Sequence, residues 1–254
     1  MSKNFLICKE EVLREKIYLT RKISSLDPSW LAGLYSTSLA KDLRYLIAER
    51  LGWLGAKGWY HLKRLIDQEG IQPEFIYASG LCYQTEAKDW LFSQLNCRNK
   101  FQLETLQALS CWGGDFPIRR LKNILSEESQ AIRLAGLEIL KFKAHQINDE
   151  LLVEILKEPI SDFREAVVLK AIRVLQRRDG IIVCNELAKI VKHSHQKTSD
   201  AALIALGSIA NINSNQVLLR LSQSLENGQK KEMALKQISQ QYNWDWSRSE
   251  LHHL

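Results

Sequence analysis

Three cysteines are spaced evenly enough along the chain to suggest a shared role. Cys82, Cys97 and Cys111 lie 15 and 14 residues apart, so neighbouring helices could carry them along one side. A metal or iron–sulfur site would need a fourth ligand and matched geometry, whereas a small buried thiol is the commoner role. None of the five cysteines forms a C-x-x-C pair. We therefore predict reduced thiols in a cytoplasmic protein, without a metal site.

Two histidine pairs are the next residues that could bind a metal. His193 and His195 follow a predicted helix over 183–192, where positive charge near the C-terminus interacts favourably with the helix dipole. His252 and His253 are adjacent, near the end of the sequence. Neither pair has zinc-site spacing, and the chain has no phosphate-binding glycine loop and no nucleophile elbow. The sequence therefore shows no catalytic constellation.

Aromatic residues concentrated in the N-terminal half suggest a binding surface. Tyr45 and Trp53 fall off the apolar stripe of their predicted helix, so we expect them to be exposed, with Glu49 and Arg50 nearby. Tryptophan, tyrosine and arginine dominate the energetics of protein interfaces. We therefore predict that these four residues bind a partner. The tryptophans on apolar stripes are assigned to the core: Trp59, Trp90 and Trp112.

Basic residues form small clusters that recur at similar positions along the chain. A stripe of this kind suits an acidic protein or a nucleic-acid backbone. However, 29 acidic residues are interspersed among 35 basic ones and the net charge is only +6, so we expect a solvated face. The clusters are Lys63-Arg64, Arg119-Arg120 with Lys122, Lys141 with Lys143, Arg177-Arg178 and Lys230-Lys231.

The composition argues against a membrane-spanning protein. A transmembrane helix needs about 18 or more predominantly apolar residues in a row, and no run of that length occurs. The first residues contain an apolar patch of only Phe5, Leu6 and Ile7 before charges follow, which does not fit a secretory signal. We expect a cytoplasmic location.

Two amphipathic helices over 42–66 form the unit that the rest of the chain repeats. Gly52 and Gly55 separate them, and a pair this short cannot bury its apolar stripe without a similar pair on each side. The pattern restarts at positions 44, 74, 102, 133, 164, 199 and 231, at intervals of 28 to 35 residues. We predict capping helices over 1–37, about seven repeats over 38–240 and a tail over 241–254.

The four prolines are consistent with an all-helical chain. Each stands where a helix could begin, a position at which the missing N–H costs nothing. Asp27 is predicted to cap the helix that starts at the first of them. The prolines are Pro28, Pro73, Pro117 and Pro159.

The repeat resembles the HEAT repeat, in the short variety found in the phycobilisome-lyase group. The best matches are Asp42-x-Arg44 with LGWLG at 51–55, and Asp162-x-Arg164 with the helix that follows. The resemblance implies an all-α solenoid, a right-handed superhelix of helix pairs. It also implies structural roles for these residues, in which the carboxylate caps the second helix and the arginine bridges to the next repeat.

Three functions are compatible with these observations. The first is a protein-interaction scaffold that binds a partner on a concave face lined by the second helices, with no cofactor. The resemblance also implies a bilin lyase or chaperone acting on phycobiliproteins, with bilin as the ligand and Cys82, Cys111 and Tyr45 as residues to test. The third is a nucleic-acid-binding protein of HEAT type, suggested by the positive charge and the exposed aromatics.

Overall fold

The structure is a computed structural model that describes the backbone of residues 2–20, 25–96 and 100–249. It describes the side chains of these ranges from residue 10 to residue 241, except those of Asn96 and Cys111. No strand occurs in this part of the chain, which confirms the predicted all-α class. The α-helices are α1 Ser2–Leu19, α2 Pro28–Leu34, α3 Lys41–Trp53, α4 Ala56–Glu69, α5 Pro73–Leu81, α6 Thr85–Asn96, α7 Gln102–Leu109, α8 Ile118–Leu125, α9 Gln130–Lys143, α10 Asp149–Ile160, α11 Glu165–Leu175, α12 Ile181–His193, α13 Gln196–Ile209, α14 Ile212–Ser224 and α15 Gln229–Ser249.

Local signals explain several helix starts. The Asp27 carboxylate accepts hydrogen bonds from the backbone N–H groups of Ser29 and Trp30, as predicted for an N-cap. Pro28 and Pro73 occupy the first positions of α2 and α5. The prediction for Pro159 is wrong, because it lies inside α10. Proline has no N–H to donate to the preceding turn, and α10 ends one residue later.

The chain divides into an N-terminal unit, Met1–Gly113, and a C-terminal unit, Gly114–Leu254. In the N-terminal unit, α3 packs on α5 and α5 packs on α7, while α2 contacts both α3 and α4. Gly52 and Gly80 allow this close stacking. A Cβ at Gly52 would lie 2.7 Å from the Ala78 carbonyl oxygen, and one at Gly80 would lie 2.8 Å from that of Ala108.

The C-terminal unit contains two rows of stacked helices. The first row is α9, α11, α13 and α15, and the second is α8, α10, α12 and α14; each helix contacts the next member of its row. In each unit, neighbouring helix pairs therefore bury one another's apolar faces, as we predicted from the repeated sequence pattern. The last helix, α15, continues through the predicted boundary at residue 241 as far as Ser249. No described helix is long and apolar enough to cross a bilayer.

One match to the repeat motif forms a buried ion-pair cluster. Both carboxylate oxygens of Asp162 accept hydrogen bonds from Arg164, and Arg133 of the preceding repeat donates to the same carboxylate at 2.9 Å. The Asp162 side chain is 1% exposed. A bridge between repeats is therefore present, but Arg133 forms it. Arg164 bonds to Asp162 and to the Glu128 carbonyl of the preceding repeat, not to the next repeat as predicted, and the carboxylate does not cap α11. It binds the N–H of Arg164, the residue before the helix.

The other motif match has a different arrangement. Arg44 bridges to the next repeat as predicted, since its Nε lies 3.4 Å from the buried carboxylate of Glu74. Asp42 caps no helix, because it lies within the first turn of α3 and is 68% exposed. It pairs with Arg14 of α1 instead. Tyr35 donates its hydroxyl proton to Glu74 at 2.8 Å and completes the buried cluster.

We expect Tyr35→Phe to lower the free energy of unfolding by about 1.5–3 kcal/mol, because it removes a hydrogen bond to a buried carboxylate. Burial and the hydrogen bond to Glu74 raise the pKa of Tyr35, so the hydroxyl stays protonated near neutral pH. The measurement is urea unfolding followed by circular dichroism. Tyr60→Phe is the matched control in the same unit, since Tyr60 is 60% exposed. Equal stability of the two variants would contradict the buried cluster.

Candidate functional site

Arg50 lies between two aromatic rings of the N-terminal unit. Its guanidinium carbon is 4.8 Å from the centre of the Trp53 ring and 5.9 Å from the centre of the Tyr18 ring, within the range of cation–π attraction. Trp53 ends α3, and Tyr18 comes from the last turn of α1. Both rings remain accessible, with Tyr18 63% and Trp53 44% exposed. We call these three residues the Arg50 cluster.

No carboxylate in the described part of the chain neutralises Arg50. The side chain is half-buried, and its Nε is buried without a hydrogen-bond partner. Removing a cation from water costs free energy unless an opposite charge or hydrogen bonds compensate. The two rings supply part of that compensation through their negative faces. Water or an anionic group from outside the chain can supply the rest.

The structure brings together two of the four residues predicted to bind a partner. Arg50 and Trp53 are in contact, whereas Tyr45 lies two turns earlier on α3. The Tyr45 ring is half-buried and 6.1 Å from the ring of Tyr77, and burial raises its pKa. Glu49 is also half-buried and has no ion pair within the described ranges. Arg50 and Trp53 therefore form one group, to which Tyr45 does not belong.

A cleft of about 600 Å³ lies between α4 and the start of α6. On one side the Trp59 indole N–H donates to Glu86 at 3.2 Å, and its buried ring lies 5.9 Å from that of Trp90. The predicted core role of Trp59 is therefore confirmed. Tyr60 is exposed, with the guanidinium of Arg64 6.0 Å from its ring centre. The lining residues are Ala56, Trp59, Tyr60, Lys63, Arg64, Asp67, Gln84, Thr85 and Glu86.

Tyr83, in the same unit, has an unusual backbone conformation for an aromatic residue. Its φ of 50° is in the left-handed region, which bulky side chains rarely adopt. The ring is 63% exposed and lies 5.5 Å from the Trp112 ring. Trp112 was predicted to be in the core, but it is only half-buried. The Trp112 ring therefore packs against an exposed tyrosine at the surface.

The described cysteines are core residues. Cys82 is buried and donates its thiol proton to the Ala78 carbonyl, with Sγ and oxygen 3.4 Å apart. Burial raises the pKa of Cys82 to about 12 and, together with nearby carboxylates, that of Cys184 to about 11. Neither is a reactive thiolate near neutral pH. Cys97 and the side chain of Cys111 lie outside the described residues.

The predicted histidine positions are at helix ends. His193 is the last residue of α12, and His195 immediately precedes α13. Within the described ranges, no group of three or more histidine, cysteine, aspartate or glutamate side chains is arranged to hold a metal ion. His252 and His253 lie outside these ranges.

Comparisons with known proteins reveal only distant likenesses. No protein-family model matches the chain, and no curated protein matches it by sequence. Several solved structures are similar at low identity, including the three that follow. An engineered protein has a TM-score of 0.41 and 16% identity over 86% of this chain and 97% of its own. Human deoxyhypusine hydroxylase in complex with glycerol has a TM-score of 0.38 and 17% identity, with 84% of each chain covered. The CpcE–CpcF complex of phycocyanin lyase from Nostoc sp. has a TM-score of 0.44 and 15% identity, over 85% of this chain and 94% of that one.

Proposed function

We propose that the chain is a protein-binding helical-repeat module, and that its N-terminal unit docks an acidic segment of a partner on the Arg50 cluster. The observation that carries this proposal is the half-buried guanidinium of Arg50. It lies between two exposed rings and has no carboxylate partner among the described residues.

The chemistry of the cluster defines what a partner must supply. A carboxylate would neutralise Arg50 and can accept a two-pronged hydrogen bond from its planar guanidinium. An apolar side chain beside that carboxylate would cover the exposed faces of Tyr18 and Trp53, which bury large apolar areas at little entropic cost. Arginine flanked by aromatic residues is the composition that dominates interface energetics. The expected ligand is therefore an Asp or Glu next to an apolar residue.

We expect Arg50→Gln and Trp53→Ala each to weaken binding of such a segment by about 30-fold, since interface hot spots contribute about 2 kcal/mol or more. The probe is a phage-displayed library of random peptides selected on the wild-type protein. Affinities of synthesised selected peptides are then measured by isothermal titration calorimetry. Selected sequences should share an acidic residue with an apolar neighbour.

Arg64→Gln is the matched control. Arg64 also lies over an exposed tyrosine ring of the N-terminal unit, but it lines the α4–α6 cleft. The Arg64→Gln variant should bind the peptide with an affinity within about twofold of wild type, which is a change in binding free energy below about 0.5 kcal/mol. If Arg64→Gln abolishes binding and Arg50→Gln does not, peptides dock in the cleft and the assignment to the Arg50 cluster is wrong. Failure to select any acidic peptide would also overturn it.

The two alternative functions stay predictions. For the bilin lyase, the buried and protonated thiol of Cys82 is not accessible to a chromophore in this structure. A spectral shift on adding bilin to the protein would support that alternative. For nucleic-acid binding, the prediction is a salt-sensitive affinity for DNA, because neutralised phosphates release counterions.

A further inference from the structure

A second cleft, of about 420 Å³, lies in the C-terminal unit between the ends of α9 and α11. Four cations line it: Lys141 from α9, Lys170 and Arg173 from α11, and Arg177 just beyond α11. The remaining lining residues, Val174 and Gln176, are uncharged. Among the described residues, no carboxylate lines this space. We call it the α9–α11 cleft.

The nearest acidic group neutralises only part of this charge. Glu138 pairs with Lys141 at 2.6 Å and also with Lys170. Burial alone would raise the pKa of Glu138, but the hydrogen bonds from the two lysines outweigh burial and lower it. One full negative charge is therefore shared by two lysines. Arg173 and Arg177 are both exposed, and neither has an ion pair within the described part of the chain. The cleft keeps a net charge of about three positive units.

Two of these cations lie close enough on α11 to repel each other. Residues three and four apart on a helix are neighbours, and like charges at these spacings destabilise the helix by a few tenths of a kcal/mol per pair. Lys170 and Arg173 have this spacing on α11, and Arg177 lies just beyond the end of the helix. An anion bound in the cleft would remove the repulsion.

We propose that the α9–α11 cleft binds a small ligand through a phosphate ester or diphosphate group. The cations surround one compact space, which suits a small ligand with dense negative charge. An extended nucleic acid needs positive charge along a track and aromatic rings on which its bases stack. No aromatic residue is among those that line the cleft. Arginine guanidinium groups match the geometry of phosphate oxygens, and the lysines add charge.

Inorganic pyrophosphate is the probe, titrated into the full chain by calorimetry at about 50 mM salt, where surface charges are weakly screened. We expect the double variant Arg173→Gln/Arg177→Gln to weaken pyrophosphate binding by about tenfold or more, since it removes two charge-assisted contacts. The control is Arg119→Gln/Lys236→Gln, which removes the same net charge from exposed positions on α8 and α15. It should change the affinity by less than about twofold.

Glu138→Gln tests the same site in the opposite direction. It releases Lys141 and Lys170 from their shared carboxylate, so pyrophosphate should bind about threefold or more tightly, because opposite charges attract more strongly when uncompensated. Circular dichroism spectra identify any variant that fails to fold.

Three results would overturn the proposal. They are no measurable pyrophosphate binding, an equal loss in the control variant, and tighter binding of a single-stranded oligonucleotide that the double variant also weakens. Free phosphoserine and a nucleoside diphosphate, titrated in parallel, distinguish a phosphate ester from a diphosphate as the group that binds. Binding of either one through Arg173 and Arg177 supports the site.

Discussion

Gly58→Ala is expected to lower the stability of the N-terminal unit by about 3 kcal/mol or more, because the new methyl group has no space. Gly58 lies in the first turn of α4, and a Cβ there would be 1.7 Å from the carbonyl oxygen of Leu51 in α3. That oxygen belongs to the backbone and cannot rotate away. The corner between α3 and α4 would have to open, which would separate the helices that carry the apolar core of this unit.

The measurement for Gly58→Ala is urea unfolding followed by circular dichroism and tryptophan fluorescence. Gly33→Ala is the matched control, because Gly33 is also helical but has no atom within 4 Å of an added Cβ. Alanine should stabilise that position by up to about 1 kcal/mol. If Gly58→Ala were as stable as wild type, the close α3–α4 corner would be wrong.

Asp162→Ala is expected to destabilise the C-terminal unit by about 3 kcal/mol, because it leaves Arg133 and Arg164 without their shared buried carboxylate. Asp42→Ala changes the equivalent position of the other motif match. Asp42→Ala should lower the free energy of unfolding by less than about 1 kcal/mol, since Asp42 is 68% exposed and forms a surface ion pair. The comparison uses the midpoints of urea unfolding. Similar losses for both variants would contradict the difference in burial.

The same carboxylate predicts a loss of stability in acid. Burial alone would raise the pKa of Asp162, but hydrogen bonds from the side chain and backbone of Arg164 outweigh burial and lower it. A lowered folded-state pKa contributes stability that is fully present above the unfolded pKa and is lost as pH falls through the folded one. The loss should therefore occur below about pH 4. Asp162→Asn should unfold with a smaller dependence on pH in that range, and an unchanged dependence would contradict this account.

Helix positions could be predicted from the sequence because the apolar spacing and the start signals are local. Gly52 and Gly55 correctly marked the α3–α4 corner, and Gly55 has a φ of 62° that favours glycine. The importance of Gly58 could not be predicted, because it depends on which backbone atom of α3 faces that position. Asp42 and Asp162 occupy the same motif, yet their burial differs. Asp162 lies between Arg133 and Arg164, whereas Asp42 forms a surface ion pair with Arg14 of α1.

The candidate sites could be predicted only in part. Arg50 and Trp53 share one helix, so their proximity follows from helical spacing. Tyr18 comes from α1, and no local pattern predicts that its ring lies over Arg50. Lys141 and Arg177 were recognised as members of separate basic clusters. Their convergence with Lys170 and Arg173 requires the packing of α9 on α11, which is a tertiary contact.

The most direct test of the proposed function is a charge exchange at Arg50, measured by calorimetry with a selected acidic peptide. We expect Arg50→Glu to abolish binding of the acidic peptide through like-charge repulsion. The same variant should bind a peptide in which lysine replaces the acidic residue. If Arg50→Glu binds the acidic peptide as tightly as wild type does, the Arg50 cluster does not dock an acidic segment.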